Sequence, residues 1–160
     1  MGVLWAPWRR KYVTAGARPP GCVLCRALEQ ADRPESLVVH VGPRDFVVMN
    51  LYPYNAGHVM IAPHRHVATL NDATPEELSE MMALSRRLEQ AFREAYQPDG
   101  INLGMNLGQA AGAGVADHIH LHVVPRWIAD TNFMGVVGRT RVIPEDPQEA
   151  AARLRPYFAR

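Results

Sequence analysis

Apolar and polar positions change their period along this chain, and the changes mark out its elements. Residues 36–41 and 45–50 are β-branched apolar runs separated by Gly42-Pro43-Arg44, which predicts two strands joined in a hairpin. Residues 58–62 follow a turn at 53–57 and read as a third strand. The period then lengthens: Leu78, Met81, Met82, Leu88 and Phe92 recur at helical spacing, so the methionines and leucines of this stretch read as core. Thr74-Pro75-Glu76-Glu77 supplies that helix with an N-cap, a proline at its first position and a capping-box acid, and the helix stops before Pro98-Asp99-Gly100. Residues 101–106 and 118–124 predict the fourth and fifth strands, and Asp146-Pro147-Gln148-Glu149 caps a C-terminal helix. Strands packed with one long helix, without alternation of strand and helix, give an α+β domain built on an antiparallel five-stranded sheet. At 160 residues the chain reads as a single domain, with 1–30 as an N-terminal segment and 145–160 as the final helix.

The fifth strand is chemically unlike the others. His118-Ile119-His120-Leu121-His122-Val123 puts three of the chain's seven histidines at alternate positions within five residues. On a strand these would line one surface at about 6.6 Å spacing, with Ile119, Leu121 and Val123 packed into a core behind them. Packing asks for no such face. Neutral imidazoles arranged this way can hold a metal, or can flank a histidine nucleophile and handle its protons. The segment immediately upstream, 106–117, is small and nearly free of side chains. Its glycines allow successive backbone N–H groups to converge on an anion, phosphate above all.

Composition narrows the field. A formal net charge of +1 argues against a general nucleic-acid surface. Of the 17 basic residues 16 are arginine, and Arg9-Arg10-Lys11 reads as a solvated N-terminal corner. No apolar stretch is long enough to span a bilayer, and residues 1–7 lack the pattern of a signal peptide, so the expectation is a cytoplasmic protein with no membrane partner. In a reducing compartment Cys22-Val23-Leu24-Cys25 is a redox pair, half a zinc site, or two buried small residues. The βαβ context of a redox pair is lacking.

The His-apolar-His-apolar-His run followed by Pro125-Arg126 resembles the signature of the histidine-triad (HIT) superfamily of nucleotide hydrolases and nucleotidyl transferases. Asn50-Leu51-Tyr52-Pro53-Tyr54-Asn55-Ala56-Gly57-His58-Val59-Met60-Ile61-Ala62-Pro63 resembles the family's nucleoside-binding strand pair. Trp5-Ala6-Pro7-Trp8-Arg9, the loop 106–114, Trp127 and Asp130-Thr131-Asn132-Phe133 are similar to the branch related to diadenosine tetraphosphate phosphorylases. The resemblance implies a HIT-like fold and an enzyme that cleaves dinucleoside polyphosphates at the α-phosphate, by phosphorolysis or alternatively by hydrolysis of these compounds or of nucleoside phosphoramidates. It implies His120 as the nucleophile that becomes nucleotidylated, with His122 on the α-phosphate oxygens and the leaving group. Asn106 and the N–H groups of Gly112, Ala113 and Gly114 would hold the developing charge. His58 would reach the triad from the neighbouring strand, Asn50 would bind the ribose and Leu51 would lie against the base. Trp127 and Phe133 are read as stacking on a base, or as core or subunit interface.

Related branches hold a structural zinc, and the corresponding ligands here would be Cys22, Cys25, His66 and His118, with His64 able to substitute for His66. The resemblance also implies a magnesium ion carried in with the polyphosphate, an adenine nucleotide as substrate, and a homodimer. Two readings of other classes stay open: a catalytic metal on the triad itself, and a nucleotide-binding module without catalysis.

Overall fold

The computed structural model describes residues 21–128, 130 and 143–159. The expected roles of Trp5, Trp8, the Arg9-Arg10-Lys11 corner and Phe133 lie outside these residues.

In chain order the elements are α1 (Val23–Glu29), β1 (Val38–Val41), β2 (Asp45–Met49), β3 (Val59–Pro63), α2 (Pro75–Ala95), β4 (Gly100–Met105), a 3-10 turn (Gln109–Ala111), β5 (Leu121–Arg126), α3 (Pro147–Leu154) and a closing 3-10 turn (Arg155–Phe158). The strands form one five-stranded sheet in the order β1-β2-β3-β5-β4, and every neighbouring pair is antiparallel. The α+β fold class read from the sequence is the one observed.

Strand β2 explains how the sheet is covered. All five of its residues are buried, so both faces carry a layer and its sequence is a continuous apolar run rather than an alternating one. Val47 and Met49 join the main core with Leu88 and Phe92 of α2 and Leu154 of α3. Phe46 and Val48 face the opposite way and join Leu24 of α1 in a second cluster. The register continues this second face across the sheet, because Val48 lies opposite Met60, Met60 opposite His122, and His122 opposite Gly104. Directly opposed residues in antiparallel strands share a face, so His122 projects from the side away from α2.

Two expectations are corrected. The fifth strand begins at Leu121, not at residue 118, since the Ile119 N–H leaves the ladder and donates to the Val67 carbonyl at 2.8 Å. Met82 keeps the helical spacing of the core stripe yet is 60 % exposed. The sequence carries no clear signal for helix α1, which spans only 7 residues and whose N-cap, Cys22, makes no side-chain cap. The helix starts are as the sequence predicts, with a capping box at α2, where Thr74 and Glu77 satisfy each other's N–H groups, and a simple N-cap at α3, where Asp146 accepts from the Gln148 N–H.

Candidate active site and metal cluster

The three triad histidines do not share one surface. Because 118–120 precede the strand, His118 turns toward the cysteines while His120 and His122 stay together, their ring centroids 4.8 Å apart. All three are buried. His58, fully buried at the mouth of β3, completes the group, with its Nε2 2.9 Å from His122 Nδ1.

Hydrogen bonds assign the protons through this group. The Tyr54 N–H donates to His58 Nδ1 at 3.0 Å, so the His58 proton sits on Nε2 and is donated to His122 Nδ1. His122 therefore carries its own proton on Nε2. In His120, Nδ1 lies 2.9 Å from the His118 carbonyl and must donate to it, which leaves Nε2 as the basic nitrogen. Burial, with His122 and His120 nearby, pushes His58 down to about 3. Burial, helped by His120, pushes His122 down to about 4. Both rings are neutral at working pH. The Tyr54 ring packs 4.5 Å from His58 and 5.5 Å from His122, a contact that spacing alone did not reveal.

Around this centre, Asn50 sits at the end of β2 and its Oδ1 accepts the Tyr52 N–H at 2.9 Å, an Asx-type turn. Leu51 is 58 % exposed. Asn106 follows β4 and lines a cleft with His122. In the small-residue loop the Gly112 N–H donates to the Gln109 carbonyl and the Ala113 N–H to the Gly108 carbonyl. Gly112 has φ +88, the left-handed conformation that glycine adopts without strain. A phosphate drawing on the Gly112 and Ala113 N–H groups would share or displace these turn bonds. Gly114 continues toward His118.

A second set of residues comes together only in the folded chain. Asn55 donates to the Pro125 carbonyl and to Asp130, and Asp130 takes both arms of Arg126. This network ties the turn that presents Tyr54 to the strand that presents His122. Asn55, Arg126 and Asp130 each fall in a segment that resembles the family, but no spacing shows that the three meet. Trp127 packs against Tyr96, ring centroids 6.4 Å apart.

The cysteines and two histidines converge on the other side of His118. The ligand atoms of Cys22, Cys25, His66 and His118 all lie within 4.8 Å of one another. His118 Nδ1 is 3.4 Å from Cys22 Sγ and 3.6 Å from Cys25 Sγ, and His66 Nδ1 is 3.4 Å from Cys25 Sγ. These separations match the edge, about 3.5 Å, of a tetrahedron built from Zn–S and Zn–N bonds. His118 Nε2 donates to the Pro63 carbonyl at 2.9 Å, which leaves Nδ1 bare toward the sulfurs, as a second-shell partner does for a ligating imidazole. Both cysteines are free thiols. His64 stays outside the cluster, beside Phe46.

A family model for the HIT domain matches residues 32–127. The AP-4-A phosphorylase of Mycobacterium tuberculosis is 38% identical over 164 residues, covering 98% of this chain and 84% of that protein. The bis(5'-nucleosyl)-tetraphosphatase [asymmetrical] of Schizosaccharomyces pombe is 37% identical over 82 residues, 51% of this chain and 44% of that one. Among solved structures, a Zn-bound histidine triad family protein from Mycobacterium smegmatis superposes with a TM-score of 0.68 at 34% identity, covering 86% of this chain and 93% of that one. No described helix is long and apolar enough to cross a membrane. The triad, the sheet that carries it and these matches agree, and the chain belongs to the HIT-domain family.

Proposed function

We propose that this chain is an enzyme that cleaves dinucleoside polyphosphates of the diadenosine tetraphosphate kind, through a nucleotide carried on His120. The carrying observation is the 2.9 Å bond from His120 Nδ1–H to the His118 carbonyl. It fixes the tautomer of the neutral ring in which Nε2 carries the lone pair and can act as the nucleophile. Nε2 forms a bond to the α-phosphorus as the bond to the leaving phosphate oxygen breaks, and the imidazolium that results keeps its Nδ1–H on a carbonyl that favours positive charge. His122, protonated on Nε2 and held by His58, donates to a phosphoryl oxygen as charge builds there. Asn106 and the small-residue loop would hold the remaining oxygens, and Asn50 and Leu51 the nucleoside.

Inorganic phosphate is the proposed acceptor that releases the nucleotide. Support comes from the M. tuberculosis relative, which spans nearly the whole chain and is a phosphorylase by name. The tetraphosphatase relative covers half the chain and supports hydrolysis as the second reading. Cys22, Cys25, His66 and His118 would hold zinc, whose chemistry there is structural, closing four protein ligands around one ion.

Incubation with diadenosine tetraphosphate, with and without inorganic phosphate, tests both readings by chromatography. ATP plus ADP formed only with phosphate supports phosphorolysis, and ATP plus AMP formed without it supports hydrolysis. His120→Ala should lower turnover about a thousandfold or more while nucleotide affinity survives. A variant with near-normal turnover would exclude the covalent route.

A further inference from the structure

Gly104 lies in the interior of β4, where glycine weakens a strand relative to alanine. Its backbone does not require it: no positive φ occurs there, and a Cβ built on it meets nothing within 4 Å. The residue opposite is His122. A strand glycine explained neither by conformation nor by crowding is a position where a ligand or another backbone can approach the strand closely.

What it opens is a cleft of about 310 Å³ that starts at His122 and Asn106 and runs along the sheet past Gly104 and Val124 to Asn102 and Arg126. The volume sits at the lower end of the range for small-molecule sites. The cleft floor is His122, Val124 and Arg126, alternate residues of one strand face, so its far end lies about 13 Å along β5 from His122. Several linked phosphates span that distance, and a single phosphate does not.

The far end is polar but close to neutral. Arg126 is held by both oxygens of Asp130 and donates to Asn102 Oδ1 at 2.7 Å. Bonded this way, the guanidinium uses three of its five N–H donors on these partners. The side-chain amides of Asn102 and Asn106 donate to none of the described residues. Paired charge and amide donors suit hydroxyls and a neutral ring better than a concentrated polyanion.

The geometry points to this cleft as the subsite for the leaving half of the substrate: the distal phosphates lie along Gly104 and Val124, and the second ribose meets Asn102 and Arg126. The inference rests on the proposed dinucleoside polyphosphate activity and adds to it a chain-length ruler. Asn102 and Gly104 are specificity-determining positions: Gly104 lies across from His122 at the mouth of the cleft, and Asn102 lies further along, opposite Val124.

Two substrates separate the cleft from the chemistry. Diadenosine tetraphosphate fills it, whereas adenosine 5'-phosphoramidate has a leaving group too small to reach it, and both pass through His120. The quantity to measure is the ratio of kcat/KM for the first to kcat/KM for the second. Gly104→Leu projects a side chain into open space and should lower the ratio about tenfold or more, with an unchanged melting temperature. Asn102→Ala, which removes one hydrogen-bonding amide, should lower it about three- to tenfold. A ratio unchanged in both variants, or a loss shared equally by both substrates, overturns the assignment. So does a Gly104→Leu variant whose only change is its mass in solution. If the wild-type protein cleaves neither compound, the proposed function itself has failed, an outcome distinct from failure of the cleft alone.

Discussion

Asp45 is fully buried at the start of β2, and neither of its carboxylate oxygens has a hydrogen-bond partner among the described residues. Burial, then the nearby Glu80 and Glu77 carboxylates, push it up to about 7. With the folded value above the ordinary one, near 3.9, the folded state binds the extra proton, so this contribution to stability is complete below about pH 4. It is lost as the pH climbs toward and through 7. Asp45→Asn keeps the shape and removes the titration. The variant should therefore gain on the wild type as pH rises from 5 to 8 and be the more stable of the two at pH 8. Thermal melts across that range measure the gap, and a gap that does not change with pH contradicts the account. His58 and His122 act in the opposite sense. Their folded values are depressed to about 3 and about 4, so their contribution is present above about 6.5 and is lost as the pH falls. His122→Asn should flatten the acid limb of the wild-type stability curve. An acid limb of unchanged slope would show that His122 is already charged in the folded state.

At the scale of elements, what the sequence made legible was local. Thr74 and Glu77 lie three residues apart and cap α2 whatever surrounds them, so the motif is sufficient. Glu77 also takes Arg65 at 2.7 and 2.6 Å, which binds the helix start to the loop carrying His66. That second role depends on tertiary placement, and no spacing announced it. The same division runs through the histidines. Alternation at 118, 120 and 122 implied one face, but the Ile119 N–H goes to Val67 and the Pro63 carbonyl takes His118. Distant segments thus decide that one histidine serves the cysteines and two serve the site. Met82 shows the same limit, since periodicity fixes a stripe and not what covers it. Thr74→Ala should cost about 1 kcal/mol of stability, read by denaturant unfolding. It should leave metal content unchanged, because the Arg65 to Glu77 pair remains. Loss of metal together with the cap would mean that the helix start positions His66.

The metal cluster belongs to the whole molecule, since its ligands come from the start of α1, the loop after β3 and the segment before β5. An ion there would bind three distant parts of the chain. Loading with zinc should raise the melting temperature by at least about 5 °C over the chelated protein, and Cys22→Ser should remove the bound zinc. Zinc retained in Cys22→Ser would place the metal elsewhere.

The two edges of the sheet are treated differently, and this bears on assembly. At β1 the Arg155 guanidinium donates to the carbonyls of Ser36 and Val38, so that edge is partly closed within the chain. Among the described residues strand β4 pairs with β5 on one side only. Among its residues Asn102, Leu103 and Gly104 are exposed, Leu103 at 48%. An open edge of six residues with an exposed leucine is a template for another strand. A second copy related by a two-fold axis would lay its β4 antiparallel to the first and join two five-stranded sheets into one. The expected mass in solution is twice the 17.8 kDa of the chain. Leu103→Lys places a charge on the edge, the usual protection against such pairing, and should shift the protein to the monomer mass without unfolding it. Light scattering at micromolar concentration reads both. A wild-type protein that runs as a monomer refutes the pairing, and a dimer that Leu103→Lys leaves intact moves the interface away from β4.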